Sequence, residues 1–166
     1  MLWSATQTLA LGQGWPVEEV TKAFEQAKAS EPEFWIYDYQ MAYFLMPRWY
    51  GKEGDWEAFA DNEMQRKDGL GAEGYARLVF SMKGFYKNVF KETQARWAPV
   101  KEGYLAMLKK YPDAKRLLSQ YACLAVLADD RPAAHEAFER MEGHGDPSVW
   151  SADGVARYQE WAYRRP

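Results

Sequence analysis

The stretch WIYDYQMAYFLMPRWYGKEGDWEAF, residues 35–59, decides the fold class of this chain. It holds nine of the 27 Trp, Tyr and Phe residues in a sequence of 166 residues. Residues 35–46 are apolar on nearly every side, and only Asp38 and Gln40 interrupt them. A helix with this pattern is typically enclosed by neighbouring helices. A proline then ends the helix, and residues 48–54, with two glycines, are expected to form a loop.

Helical periodicity continues on both sides of this stretch. Residues 2–29 predict a helix-turn-helix, Asp55 is a candidate N-cap for a helix over residues 55–67, and a further helix is expected over residues 72–88. Residues 91–97 are polar and are expected to be irregular. Since no segment alternates between apolar and polar residues, the sequence predicts an all-α fold with about nine helices and no strand.

Composition limits the kinds of partner and compartment. The net charge is −3, and this weak field gives no reason to expect nucleic acid or anionic lipid as a partner. The single cysteine, Cys123, excludes an intrachain disulfide and is compatible with a reducing compartment. No apolar run approaches the roughly 20 residues that span a bilayer. We therefore expect a soluble, cytoplasmic protein with one domain over residues 1–166, which the abrupt helical start marks as compatible with the C-terminal part of a longer native chain.

Three segments share a spacing that is typical of tetratricopeptide repeats. In that pattern a small residue is followed four positions later by an aromatic residue and eight positions after that by a proline. The matching sets are Val20, Phe24, Ala27 and Pro32; Val100, Tyr104, Met107 and Pro112; and Ala134, Phe138 and Met141, with Pro147 one place late. Each helix pair in such an array buries its apolar face against the next pair. The spacing through residues 35–97 departs from a 34-residue period, so the prediction is a degenerate, tetratricopeptide-like array of antiparallel helix pairs.

Four segments also carry a resemblance to a known family. They are LMPRWYGKEGDWEAFA (residues 45–60), ARWAPVKEGY (95–104), YACLAVLADDRPAAHEAF (121–138) and DPSVW (146–150). From residue 34 to the C-terminus the chain resembles an uncharacterised bacterial domain family that is similar to tetratricopeptide and Sel1-type repeat proteins. The resemblance implies a helical-repeat fold and a bacterial origin. It implies no activity, because the family has none assigned.

No motif in the sequence predicts catalysis, a metal ion or a cofactor. Two histidines, His135 and His144, and one cysteine do not supply the converging ligands of a zinc site. We interpret Cys123 as a small buried apolar residue. Asp129 and Asp130 read more simply as helix caps than as an acid–base pair. No phosphate loop, nucleophile elbow or HExxH motif occurs.

Five residues of the opening stretch are candidate binding residues: Tyr37, Tyr43, Arg48, Trp49 and Tyr50. The tyrosine hydroxyls need water or a partner, so at least one is expected to reach a surface. Arg, Trp and Tyr are also the residue types enriched at binding hot spots. The competing interpretation is a loop folded back on the domain, with the Arg48 side chain stacked on Trp49.

Two functions remain open from the sequence. The first is a non-catalytic helical-repeat scaffold that binds a protein or peptide partner of unknown identity. The alternative is a small-ligand receptor or enzyme with an aromatic-lined pocket near residues 37–56. A shallow aromatic surface favours the scaffold, whereas a deep closed pocket with clustered carboxylates favours the alternative.

Overall fold

The computed structural model describes the backbone of residues 2–164 and, apart from Leu2 and Ala152, their side chains. This part of the chain is all-α, as the sequence predicts, with ten α-helices rather than about nine, and with no strand. The helices are α1 (Leu2–Gln13), α2 (Val17–Ser30), α3 (Trp35–Phe44), α4 (Asp55–Met64), α5 (Ala72–Met82), α6 (Val89–Glu92), α7 (Trp97–Lys110), α8 (Lys115–Leu127), α9 (Arg131–Met141) and α10 (Ala152–Tyr163). A short 3₁₀ helix, Lys83–Phe85, follows α5 directly.

The helices gather into two compact units, Met1–Ala95 and Arg96–Pro166. The first unit contains α1 to α6, and the second contains α7 to α10. Each unit buries an apolar core of its own. The expectation of a single domain over the whole chain stays a prediction.

Helix α3 is the central element of the first unit, which confirms the interpretation of residues 35–46 as an enclosed helix. It packs against α1, α2, α4 and α5, and Met41, Ala42 and Phe44 are buried. The enclosure begins only at the third residue of the helix. Ile36, which the sequence places in the core, keeps 36% of its surface exposed, and Trp35 is half-buried.

The predicted helix-turn-helix at the start of the chain is present as α1 and α2. Gly14 connects them with a φ of +67°, a conformation that costs glycine little. Val20 and Phe24 lie one helical turn apart in α2 and are buried, and the ring of Phe24 meets Trp3 of α1 edge-on at 5.6 Å. The same row continues one turn further to Lys28, which is also buried.

Several predicted helix boundaries are wrong for local reasons. Helix α4 ends at Met64 rather than Lys67, because the next two backbone N–H groups, of Gln65 and Arg66, bond only three residues back and tighten the last turn. Gly54 is the N-cap in place of Asp55, whose carboxylate accepts from the backbone N–H of Lys52 at 2.7 Å.

The segment after α5 also differs from prediction. The helix expected over residues 72–88 becomes 3₁₀ after Met82. Part of the segment expected to be irregular is the short helix α6, because the side chain of Asn88 accepts from the backbone N–H of Phe90 at 3.0 Å and caps it.

In the second unit, α8 packs against α7 and α9, and α10 packs against α9. Tyr121 is buried in its core, with its ring stacked on Trp97 at 5.9 Å and tilted against Tyr104 at 5.9 Å. Asp130 caps α9, as predicted, and accepts from the Ala133 N–H at 3.1 Å. Its other oxygen accepts from Trp97 Nε1 and Lys101 Nζ, both at 2.8 Å, so this carboxylate links α7 to α9.

The repeat-like positions lie on helices and face the cores. Val20 and Phe24 in α2, Val100 and Tyr104 in α7, and Ala134 and Phe138 in α9 are all buried. Helices that follow each other along the chain also pack in pairs, including α1 with α2 and α8 with α9. A tetratricopeptide-like arrangement of these pairs stays a prediction.

Candidate functional site

The loop between α3 and α4 is folded tightly onto the end of α3. The backbone N–H groups of Trp49 and Gly51 both donate to the carbonyl of Met46, at 2.9 and 3.3 Å. Gly51 is required here, because a Cβ atom at this position would lie 1.9 Å from the backbone carbonyl oxygen of Leu45. The loop is therefore a fixed support for the side chains that it carries.

Tyr50, one of the five candidate binding residues, has a structural role. Its ring stacks on Phe44 of α3 at 4.9 Å, and its hydroxyl donates to the backbone carbonyl of Leu11 in α1 at 2.7 Å. The ring is still 39% exposed. Tyr50 thus holds the loop against the last turn of α1.

Two other candidates, Tyr43 and Trp49, lie together on a surface of connected rings. The Tyr43 ring lies 5.7 Å from Trp49, 5.4 Å from Phe85 of the 3₁₀ helix and 6.3 Å from Tyr39. The guanidinium carbon of Arg48 lies 5.4 Å from the centre of the Trp49 ring, as the sequence predicts. We call these five residues, Tyr39, Tyr43, Arg48, Trp49 and Phe85, the aromatic surface.

The aromatic surface is open to solvent at its edge. Trp49 is 40% exposed and Phe85 is 37% exposed, whereas Tyr39 and Tyr43 are half-buried. Phe85 was expected to pack as part of a longer helix. It reaches this surface because the chain turns to 3₁₀ geometry after α5.

Tyr37 does not share this surface. It lies six residues before Tyr43 on α3 and so points about 120° away around the helix axis. It is buried, with its ring against Phe34 at 4.7 Å and its hydroxyl donating to Glu31 Oε2 at 3.0 Å. Burial and this hydrogen bond to a carboxylate raise the pKa of Tyr37. The five candidates therefore separate into an exposed group, a structural anchor and a buried tyrosine.

Tyr37 lines a cleft of about 390 Å³ between α1, α2 and α3. Its other lining residues are Trp3, Thr6, Ala23, Gln26, Ala27, Ser30 and Glu31. Trp3 and Tyr37 are almost completely buried, so the accessible lining comes mainly from small and polar side chains.

A second group, which the sequence interpretation missed, consists of Lys28, Asp38 and Glu63. The Lys28 ammonium lies 2.9 Å from Asp38 Oδ1 and 4.0 Å from Glu63 Oε2. It also donates to the backbone carbonyl of Pro32 at 2.5 Å. Lys28 and Asp38 are both buried, and the Glu63 side chain is only 13% exposed. We call these three residues the buried charge cluster.

Burial changes the protonation of its carboxyl groups. It raises the pKa of Glu63 to about 7, to which the neighbouring Asp38 carboxylate also contributes, while Arg66 and Lys28 act in the opposite direction. Burial likewise raises the pKa of Asp38, although the hydrogen bond from Lys28 opposes the shift. One of the two carboxyl groups is thus easily protonated near neutral pH.

Two signals in the sequence could have revealed this cluster. Asp38 interrupts a helix that is otherwise apolar on nearly every side. Lys28 follows Val20 and Phe24 at four-residue spacing, which places a cation on the buried face of α2. A buried lysine and a buried aspartate on neighbouring helices are expected to pair, because an unpaired buried charge is costly.

The buried charge cluster borders a cavity of about 10 Å³, which is roughly the space that one water molecule needs. Residues of α5 and of the segment before it complete the lining: Gly69, Leu70, Gly71, Gly74, Tyr75 and Leu78. A cavity of this size cannot admit a substrate. The clustered carboxylates therefore do not form the deep pocket that would favour an enzyme or receptor.

The remaining candidate residues form no site. Cys123 is half-buried rather than fully enclosed. His135 lies 3.7 Å from Glu139, and its ring contacts Tyr163 at 4.3 Å. Within residues 2–164, no three His, Cys, Asp or Glu side chains converge in a way that could hold a metal ion.

Fold and site together define a helical protein with one exposed aromatic surface and one buried charge cluster. The chain matches no protein-family model, and searches of curated proteins and of solved structures also find no match. The resemblance to a bacterial helical-repeat family stays a prediction. In the part of the chain that the structure describes, no helix has both the length and the apolarity to cross a membrane.

Proposed function

We propose that this protein is a non-catalytic helical scaffold that binds a protein or peptide partner through the aromatic surface. One observation carries the proposal: Tyr39, Tyr43, Trp49 and Phe85 form a chain of ring contacts, and Trp49 and Phe85 at its edge are exposed. Exposed large apolar groups that lie together, with arginine beside them, are typical of interaction sites.

The rigidity of the loop supports the proposal. Gly51 fits tightly against the backbone of Leu45, and Tyr50 ties the loop to α1, so Arg48 and Trp49 are held in place before any partner arrives. A surface that is already ordered loses less conformational entropy on binding. Tyr50 thus supports the binding surface indirectly, although the sequence interpretation placed it in the contact itself.

The proposal is tested by affinity capture from the native organism with three forms of the protein. These are the wild type, Trp49→Ala and a control, Tyr111→Ala, which removes an exposed ring in the second unit. Support requires a partner that the wild type and the control capture and the Trp49 variant loses, and that binds the purified wild type directly. If every captured protein is retained by Trp49→Ala, the aromatic surface is not the binding site.

A second candidate function is a small-ligand receptor, for which the cleft beside Tyr37 is the supporting observation. Its volume of about 390 Å³ lies within the range of small-molecule sites. Glu31 supplies a carboxylate at its rim, oriented by the Tyr37 hydroxyl. A thermal-shift screen of small polar compounds tests it: a stabilising compound should lose its effect in Glu31→Gln but retain it in Trp49→Ala.

A further inference from the structure

The buried charge cluster contains more carboxyl groups than cations. The titratable and charged groups around Glu63 come from every element packed against it: Lys28 and Glu25 of α2, Asp38 of α3, Arg66 and Asp68 of the segment after α4, and Tyr75 of α5. Two cations thus face four carboxyl groups, and with all four ionised the cluster holds an excess of negative charge.

The two cations are already committed to other carboxylates and carbonyls. Lys28 donates to Asp38 and to the carbonyl of Pro32, which leaves Glu63 at 4.0 Å, beyond hydrogen-bond distance. Arg66 reaches Glu63 Oε1 at 3.2 Å, but it lies closer to the carboxylate of Glu25, at 2.6 Å. Glu63 is therefore the carboxylate whose charge is least well compensated.

Only a short segment without regular structure separates the cluster from solvent on one side. It connects α4 to α5 over residues 65–71, and Gly69, Leu70 and Gly71 line the cavity. Its backbone is held by local hydrogen bonds, such as Gly69 N–H to Arg66 carbonyl at 3.2 Å. Segments with few internal hydrogen bonds open at lower free energy than helices do.

We propose that Asp38 and Glu63 share one proton, and that loss of this proton opens the segment of residues 68–71 to solvent. With the proton bound, one neutral carboxyl group and one carboxylate face Lys28, and the cavity stays closed. When the proton leaves, a second negative charge remains in a space that holds about one water molecule. The least costly way to hydrate that charge is to displace the glycine-containing segment, because the other walls are helices.

The direction of the pH dependence follows from proton linkage. Glu63 binds its proton more tightly when it is buried, with a pKa of about 7, than when it is hydrated, with its usual value near 4.5. The closed form is therefore favoured at low pH, opening increases as the pH rises between these two values, and it reaches a plateau above about pH 7. From these values the equilibrium constant for opening should rise by about tenfold or more between pH 5.5 and 7.5.

The test is hydrogen–deuterium exchange of the full chain, measured at the amides of residues 69–71 from pH 5.5 to 8 and corrected for the intrinsic exchange rate. The wild type should lose protection by about tenfold or more up to pH 7.5. Glu63→Gln, which mimics the protonated side chain, should stay protected at every pH. The control Glu53→Gln, an exposed residue just before α4, should behave like the wild type.

Two results would overturn the proposal. One is wild-type protection that does not change with pH. The other is a Glu63→Gln variant that retains the wild-type pH dependence. A Glu63→Gln variant that fails to fold would also contradict it, since the neutral side chain belongs to the closed and more stable form.

Discussion

The hydroxyl of Tyr50 donates a 2.7 Å hydrogen bond to the backbone carbonyl of Leu11, 39 residues earlier in the chain. This contact joins the loop after α3 to the last turn of α1, whose terminal carbonyls lack partners within the helix. The same ring stacks on Phe44 of α3. A side chain that resembles a binding residue in the sequence is thus one of the supports of the neighbouring aromatic surface.

Tyr50→Phe should lower the free energy of unfolding by about 1 kcal/mol, because it removes one hydrogen bond and keeps the ring stacked. For a chain of this size the expected fall in melting temperature is about 2–4 °C. Tyr111→Phe, which alters an exposed ring elsewhere, is the control and should change stability by much less. Equal effects of the two substitutions would remove Tyr50 from its role as an anchor.

Gly51→Ala should destabilise the protein by more than about 2 kcal/mol, because the added methyl group would overlap the backbone carbonyl of Leu45 at 1.9 Å. The matched control is Gly84→Ala, where an added Cβ would have no heavy atom within 4 Å. Urea unfolding of both variants measures the difference. If Gly51→Ala is as stable as the control, the loop is not held as the structure describes.

Lys28→Met should cost about 3–5 kcal/mol in unfolding free energy, because it leaves the buried Asp38 carboxylate without its cation. The double variant Lys28→Met with Asp38→Leu should be more stable than the single variant, since no buried charge then lacks a partner. Denaturant melts of the two variants and of the wild type give both values. A double variant less stable than the single one would contradict this account of the pair.

The stability of the wild type should fall as the pH rises from about 4.5 to 7. The native state holds the Glu63 proton with a pKa of about 7, whereas the unfolded chain releases it near 4.5, so rising pH favours the unfolded state across this window. The contribution amounts to at most about 3 kcal/mol. Asp130, whose pKa is lowered by its partners, acts in the opposite direction, but only at pH values near or below its usual range.

Glu63→Gln should remove most of that pH dependence in urea unfolding curves measured between pH 5 and 7.5. Glu53→Gln, in the exposed turn before α4, should leave it unchanged. A Glu63→Gln protein that retains the wild-type slope would show that another group holds the proton.

The sequence predicts the fold class and the central helix because both depend on local patterns. Helical periodicity, proline and glycine breaks and the apolar run of residues 35–46 are each sufficient for a statement about nearby residues. The boundaries after Met64 and Met82 depend on how the last turns tighten, which no residue pattern signals. The side of α3 on which Tyr37 ends, beside Glu31, depends on which neighbouring helix covers it.

The candidate site was only partly accessible from the sequence. The contact between Arg48 and Trp49 follows from adjacent positions in the chain and was predicted. Phe85 joins the aromatic surface from 36 residues beyond Trp49, and only the tertiary fold brings the two regions together. The buried charge cluster likewise combines residues of three helices.

The central claim is that the aromatic surface binds a partner, and the most direct measurement is the affinity of Trp49→Ala for the captured partner, with its melting temperature. The account predicts an affinity at least about 30-fold weaker, the loss of about 2 kcal/mol that defines a hot spot, and a melting temperature within a few degrees of the wild type. An unchanged affinity would contradict the claim. So would a loss of stability of roughly 3–5 kcal/mol, which would assign Trp49 to packing instead.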